Sequence, residues 1–82
     1  MEEHLRRILG EVGGLAVPID GIGTDDDLFA AGLTSVATVS VLLATEDAFD
    51  VEIPDALLKR ETFRSIASLG AVVERLKTSD AA

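Results

Sequence analysis

Ser35 stands where a glycine-containing loop meets a long apolar run, in the stretch DDDLFAAGLTSVATVSVLLATEDAFDVEIPD. A serine hydroxyl becomes a hydrolytic nucleophile only beside a general base that a third group orients. Gly32-Leu33-Thr34-Ser35-Val36 lacks the flanking glycines of a nucleophile elbow, and the single histidine of the chain, His4, leaves no second one to serve as base for the serine once it is read as a surface residue. One use left to the hydroxyl is to receive a modification. A helix N-terminus presents free backbone N–H groups and a positive dipole end, where a phosphodiester is favoured. The competing use, as a plain helix cap worth about 1 kcal/mol, is the commoner one and is favoured on these residues alone.

The other polar residues offer less chemistry. Asp25-Asp26-Asp27 suggests calcium, but a calcium loop counted from Asp25 has Ala30 where the turn glycine belongs and Val36 where the bidentate glutamate belongs. A solvated acidic turn accounts for the aspartates. The chain has no cysteine, so it can form neither a disulfide framework nor a thiolate metal site. His4, among Glu2, Glu3 and Arg7, reads as a solvated surface histidine. Groups suited to acid–base work near neutral pH are nearly absent, which points away from an enzyme.

Fifteen acidic residues against seven basic give a formal net charge of −8. Nucleic acid and anionic membrane surfaces repel such a field, whereas basic protein surfaces attract it. The start of the chain lacks the basic and apolar regions of a secretory signal, and no apolar run is long enough to span a bilayer. The expectation is a soluble, cytoplasmic, monomeric protein that binds no nucleic acid and no membrane.

The elements that must position Ser35 follow from periodicity. Leu5, Ile8, Leu9 and Val12 recur at helical steps and predict a first helix over Glu2 to Val12, stopped by Gly13-Gly14. From Gly14 to Thr34 no period is sustained, and a loop of that length needs anchors, for which Val17, Ile19, Ile22, Leu28 and Phe29 are available. A second helix is predicted over Val36 to Phe49, entered through Thr34 or Ser35 as cap and closed near Asp50. Pro54 breaks the pattern that follows, and Asp55 can cap a short third helix from Ala56 to about Lys59. Thr62 can cap the last helix, whose apolar set is Phe63, Ile66, Ala67, Leu69, Val72, Val73 and Leu76. The prediction is one all-α domain over residues 1–77, a bundle of three main helices and one short one with a long first loop, followed by a frayed tail over 78–82.

The second helix carries two apolar stripes. One holds Thr38, Val41, Leu42, Thr45 and Phe49, and a rotated one holds Val36, Val39, Ser40, Leu43 and Asp47. A surface helix of a small bundle needs a single stripe for its core. Either the helix is sandwiched on both sides, or Val36, Val39 and Leu43 are exposed for partners.

Taken together, Asp26-Asp27-Leu28-Phe29, Gly32, Ser35 and Phe49-Asp50-Val51-Glu52-Ile53-Pro54 resemble the pattern of the acyl carrier protein family, including its peptidyl and aminoacyl carriers. The resemblance spans nearly the whole chain. It implies the four-helix carrier fold and identifies Ser35 as the residue to which a phosphopantetheinyl transferase attaches 4′-phosphopantetheine from coenzyme A. The arm's thiol then carries an acyl or aminoacyl group as a thioester, which explains a chain without cysteine.

Two departures from the family pattern bear on partners. Thr34 stands where the family usually has an aspartate. The second helix also lacks the strong acidity of fatty-acid carriers, offering only Glu46 and Asp47. Docking through Val36, Val39 and Leu43 is therefore expected to be more apolar than electrostatic, with Thr34, Glu46 and Asp47 beside them and basic Lys59 and Arg60 available to an acidic patch. The stretches LFAAGLTS, EDAFDVEIPD and LLKRETFRSI are similar to discrete carriers loaded by adenylating ligases or acyltransferases, some of which serve polyketide, macrolactam or nonribosomal-type antibiotic assembly through a downstream acceptor enzyme. The rival reading is a helical interaction module in which Ser35 is only a cap.

Overall fold

Leu5, Ile8 and Leu9 are buried along one side of helix α1, Glu2–Val12, in the computed structural model, which describes residues 1–80 and side chains as far as Lys77. Helix α2 spans Ser35–Phe49, the single turn α3 spans Arg60–Phe63, and α4 spans Ile66–Asp80. The expected all-α class holds. Among the described residues there are four α-helices, two short 3-10 turns and no strand. The expected frayed tail over Thr78 to Ala82 lies outside the described side chains, and Ala81 and Ala82 lie outside the described residues.

Helix α1 packs against α2 and α4, and α3 packs against α4. Leu5, Leu9, Leu28, Val41, Ile66, Leu69 and Val73 form the most deeply buried part of the core. Each fully buried aliphatic side chain contributes about 1.5–3 kcal/mol, so one loop residue among them is a substantial anchor. Leu28 is that residue, and the neighbouring Ile22 and Leu33 are buried with it. Ile19 and Phe29 pack against the core edge. Val17 does not anchor the loop: it is 46% exposed, and the chain turns there into the 3-10 segment Ile19–Gly21.

Polar contacts complete the anchoring. The Arg6 guanidinium donates to the carbonyls of Ile19 at 3.1 Å and Ile22 at 2.7 Å, and to the Glu2 carboxylate at 3.0 Å. The Thr24 hydroxyl donates to the same Glu2 oxygen at 3.0 Å. These hydrogen bonds, Arg6's first, hold the Glu2 carboxyl below its ordinary pKa. The link therefore operates above the usual carboxylate range and is lost as pH falls through the lowered value.

The region after α2 differs from expectation. Asp55 caps nothing with its side chain. Instead a 3-10 turn, Asp55–Leu57, follows Pro54, and Lys59 is extended before α3 opens. Thr62 lies inside α3, where its buried hydroxyl donates to the Leu57 carbonyl at 2.6 Å, and Phe63 belongs to α3 as well. The cap of α4 is Ser65: its oxygen accepts the Ser68 N–H at 3.0 Å while the Ser68 oxygen accepts the Ser65 N–H at 3.0 Å. This is a capping box with serine in the place of the usual acid or amide.

Thr45 is the polar exception in the core. It is fully buried on α2 and its hydroxyl has no hydrogen-bond partner among the described residues. Replacing a buried unpaired hydroxyl by a methyl of similar shape removes a desolvation penalty. Thr45→Val is expected to stabilise the fold by about 1 kcal/mol, measured as a higher urea midpoint at unchanged slope; a lower midpoint would show that the hydroxyl is satisfied.

Candidate functional site

The path to Ser35 is set by the loop's last turn. The Asp27 carboxylate accepts the Phe29 N–H at 2.9 Å and the Ala30 N–H at 3.3 Å. The Leu33 N–H then returns to the Leu28 carbonyl at 3.0 Å. Gly32 makes the reversal with φ of +114°, and a Cβ there would sit 2.7 Å from the Ala16 nitrogen. That nitrogen donates to the Ala31 carbonyl at 2.8 Å, so the first and last parts of the loop touch beneath the site. Glycine is required at position 32 both for its backbone angle and for this close approach.

Thr34, in extended conformation, is the cap of α2, and its hydroxyl oxygen accepts the Ala37 N–H at 3.1 Å. Ser35 is therefore not the cap but the first helical residue. Its side chain is exposed and its hydroxyl has no hydrogen-bond partner among the described residues. The Thr38 hydroxyl donates to the Ser35 carbonyl at 2.6 Å, which fixes the backbone beneath the serine and leaves its oxygen outward. Asp and Thr are both good caps. Thr34 thus supplies the capping oxygen that an aspartate supplies, without its charge.

Beyond Ser35 the two stripes of α2 separate. Val41, Thr45 and Phe49 are buried, whereas Val36, Val39 and Leu43 are 82%, 55% and 60% exposed. Of the two arrangements open to the sequence, the exposed stripe is the one adopted. Asp47 is exposed beside it. Glu46 is directed elsewhere: half-buried, it accepts the Ile53 N–H at 2.7 Å and ties down the segment after α2. Asp50, which closes α2 in the left-handed region at φ 53°, starts that segment back along the helix.

Ser35 also borders a groove of about 250 Å³ between α2 and the segment from Leu58 to Phe63. Val39, Leu42, Leu58 and Phe29 form its apolar wall, and Lys59 and Arg60 stand at its edge. The Arg60 guanidinium lies over the Phe29 ring, 4.0 Å from its centroid, and the Lys59 ammonium is 3.8 Å from the Glu61 carboxylate. Sequence reasoning singled out the cations but missed the groove and the Arg60–Phe29 stack, because pairing a loop aromatic with an α3 arginine requires the tertiary fold. His4, given no role from sequence, rests 4.9 Å from the Phe49 ring.

The donor set fits a covalently attached phosphodiester: an exposed, unpartnered serine oxygen at a helix start with two cations across a groove. It does not fit a metal centre, since among the described residues no group of His, Cys, Asp or Glu converges.

Comparison with known proteins agrees with this geometry. Residues 3–73 match the family model described as the phosphopantetheine attachment site. An aminoacyl carrier protein of Agrobacterium fabrum is 45% identical over 74 residues, covering 90% of this chain and 89% of that protein. A chain in the crystal structure of an engineered Bradyrhizobium japonicum glycine:[carrier protein] ligase, complexed with a carrier protein from Agrobacterium tumefaciens and AMP, superposes with a TM-score of 0.87 at 44% identity, covering 90% of this chain and 99% of that one. The solution structure of a holo acyl carrier protein from Nitrosomonas europaea superposes with a TM-score of 0.81 at 32% identity, covering 95% of each chain.

The geometry of the turn before Ser35 gives an ordered expectation. Gly32→Ala forces a side chain into a strained angle and a steric clash, costing about 1–3 kcal/mol, while Thr34→Ala loses only a cap worth about 1 kcal/mol. Urea denaturation is expected to rank the two in that order, and the reverse order would contradict the close approach at Gly32.

Proposed function

Because this chain belongs to the acyl and aminoacyl carrier protein family, whose prosthetic group is 4′-phosphopantetheine, we propose that Ser35 is the attachment residue and that the protein is a discrete aminoacyl carrier. The observation that carries the proposal is the division of labour at the start of α2: Thr34 caps the helix, which leaves the neighbouring Ser35 hydroxyl exposed and unpartnered. The rival reading of an interaction module gave Ser35 the role of cap, a role that Thr34 fills.

A carrier is not an enzyme, and this chain's residues perform no reaction on cargo. When bound, the prosthetic group supplies a thiol that holds an acyl or aminoacyl group as a thioester. The chain's contribution is positional. The loop and the Thr34 cap hold the serine oxygen at the surface for a phosphopantetheinyl transferase. The stripe of Val36, Val39 and Leu43 then offers a docking face to the enzyme that loads the arm and to the acceptor that unloads it.

The loading enzyme we favour is an adenylating amino acid:carrier protein ligase. Support comes from the likeness to carriers of that class and from the weak acidity of the docking face, with Glu46 turned inward, which suits such a ligase better than fatty-acid synthesis. Acyltransferase loading, and use in polyketide, macrolactam or nonribosomal-type assembly, would engage the same face. The proposal includes a monomer acting in the cytoplasm; no helix among the described residues is long and apolar enough to cross a membrane.

Intact mass measured after incubation with coenzyme A and a transferase is expected to rise by one phosphopantetheinyl group in the natural chain and not at all in Ser35→Ala. The variant should keep its urea midpoint, since an exposed residue that is not the cap contributes within about 0.5 kcal/mol. A labelled Ser35→Ala chain would refute the assignment. For docking, Val39→Asp is expected to lower kcat/KM for loading by a glycine:carrier protein ligase about tenfold, as losing ~1.4 kcal/mol at an apolar contact requires, with thermal stability unchanged; equal loading would remove Val39 from the interface.

A further inference from the structure

We propose that the apolar start of the long loop, exposed Val17 above all, is a contact for the phosphopantetheinyl transferase and not for the enzymes that later load the arm. The proposal rests on Ser35 being the attachment residue.

Reach is the first argument. In the transfer the Ser35 oxygen bonds to the phosphorus that bears the arm in coenzyme A, the pyrophosphate link breaks, and adenosine 3′,5′-bisphosphate leaves. The hydroxyl proton goes to a base outside this chain, since His4, its single imidazole, lies against Phe49 at the far end of α2. Attack requires the phosphorus within about 3–3.5 Å of the oxygen. The transferase must therefore close over Ser35 itself. A ligase acts at the far end of a flexible arm and carries no such requirement.

The extent of such a footprint is the second argument. One partner's share of a standard interface is about 800 Å², which as a disc extends roughly 16 Å from its centre. Centred on Ser35, it takes in Val36 and Val39 and reaches Leu43, about 12 Å along the helix. In the other direction α2 has ended and the surface belongs to the loop. Gly32 lies three residues before Ser35, at most about 11 Å away. A Cβ on Gly32 would sit 2.7 Å from the Ala16 nitrogen and 3.1 Å from the Ala16 Cβ. Ala16 thus falls within the disc, with Val17 next to it. The helix packing agrees: His4 against Phe49 sets the start of α1 beside the end of α2, which brings the end of α1 to the start of α2.

The chemistry of this flank is the third argument. Charged residues make up 27% of the chain, yet residues 12–19 carry none and neither do residues 28–45. These two uncharged stretches meet where the Ala16 N–H donates to the Ala31 carbonyl at 2.8 Å, just before Ser35. Val12 and Val17 are 37% and 46% exposed, and Ala16 and Pro18 are exposed with them. Val17 is thus an apolar residue that the core leaves unused, and exposed apolar surface on both sides of Ser35 fits a transferase whose rim is itself apolar. Thr34, uncharged where the family usually has an aspartate, belongs to the same surface.

The test compares two rates on the full chain: transfer from coenzyme A by the transferase used for the mass measurement, and glycine loading of fully converted chain by a glycine:carrier protein ligase. Val17→Asp is expected to raise the transferase KM and lower its kcat/KM about tenfold, while ligase kcat/KM stays unchanged. Val17→Asn, which adds no charge, should shift the transferase severalfold in the same direction, and Val39→Asp should lower both rates. Both Val17 variants should keep the urea midpoint, and a lowered midpoint would make Val17 a structural residue and count against the proposal. Unchanged transfer in Val17→Asp, a loss in the Asp variant that the Asn variant does not share, or equal losses with both enzymes would overturn it. Absence of any mass gain in the natural chain, or an equal gain in Ser35→Ala, would instead overturn the attachment reading beneath it.

Discussion

The hydrogen bond from the Leu28 N–H to the Arg64 carbonyl, at 2.7 Å, joins the long loop to the junction of α3 and α4. A second bond, from the Ala67 N–H to the Thr24 carbonyl at 3.0 Å, repeats the connection one turn further along. A loop of this length with one 3-10 turn, Ile19–Gly21, has little internal reason to hold one shape. Here the burial of Leu28, flanked by these two bonds, fixes its middle, and Arg6 fixes its beginning from α1. The placement of Ser35 depends on that attachment, since the reversal at Gly32 only aims the chain that Leu28 has already located.

The same economy governs α2. One helix must fill the core between α1 and the loop and also present a surface. It does so by dividing its apolar residues between two faces rather than concentrating them on one. Packing requires Val41, Thr45 and Phe49 inside. Val36, Val39 and Leu43 have no packing function within the chain, and exposed apolar residues aligned on a helix are a recognised mark of interaction surfaces. The cost is a helix whose core face includes a hydroxyl with no partner, which is tolerated because the surrounding aliphatic contacts are dense.

The fold was largely legible in the sequence. The period of Leu5, Ile8 and Leu9, the stop at Gly13 and the end of α2 at Asp50 are local signals, and each element lies where those signals put it. The family was legible as well, because the pattern around Ser35 that carries the resemblance is local. Three things were not. Capping of α4 moved from Thr62 to Ser65, since Thr62 lies inside α3 and its hydroxyl is engaged by the Leu57 carbonyl five residues back. Val17 is apolar yet exposed, since membership of the core is decided by where the loop turns rather than by residue type. Glu46 looked like a surface acid because the acceptor needed by Ile53 N–H arises only when the chain folds back after Asp50.

That inward carboxylate has a kinetic consequence. With Glu46 turned to the Ile53 N–H, the acid exposed beside the aliphatic row is Asp47, so the face itself adds little to the field of the whole chain. Under the proposed docking, encounter there is steered by the net charge of −8 more than by the face itself, and so weakens as ionic strength rises. Under that proposal, discrimination among enzymes falls on residence time, set by how well each one's hollow accommodates a row of aliphatic side chains.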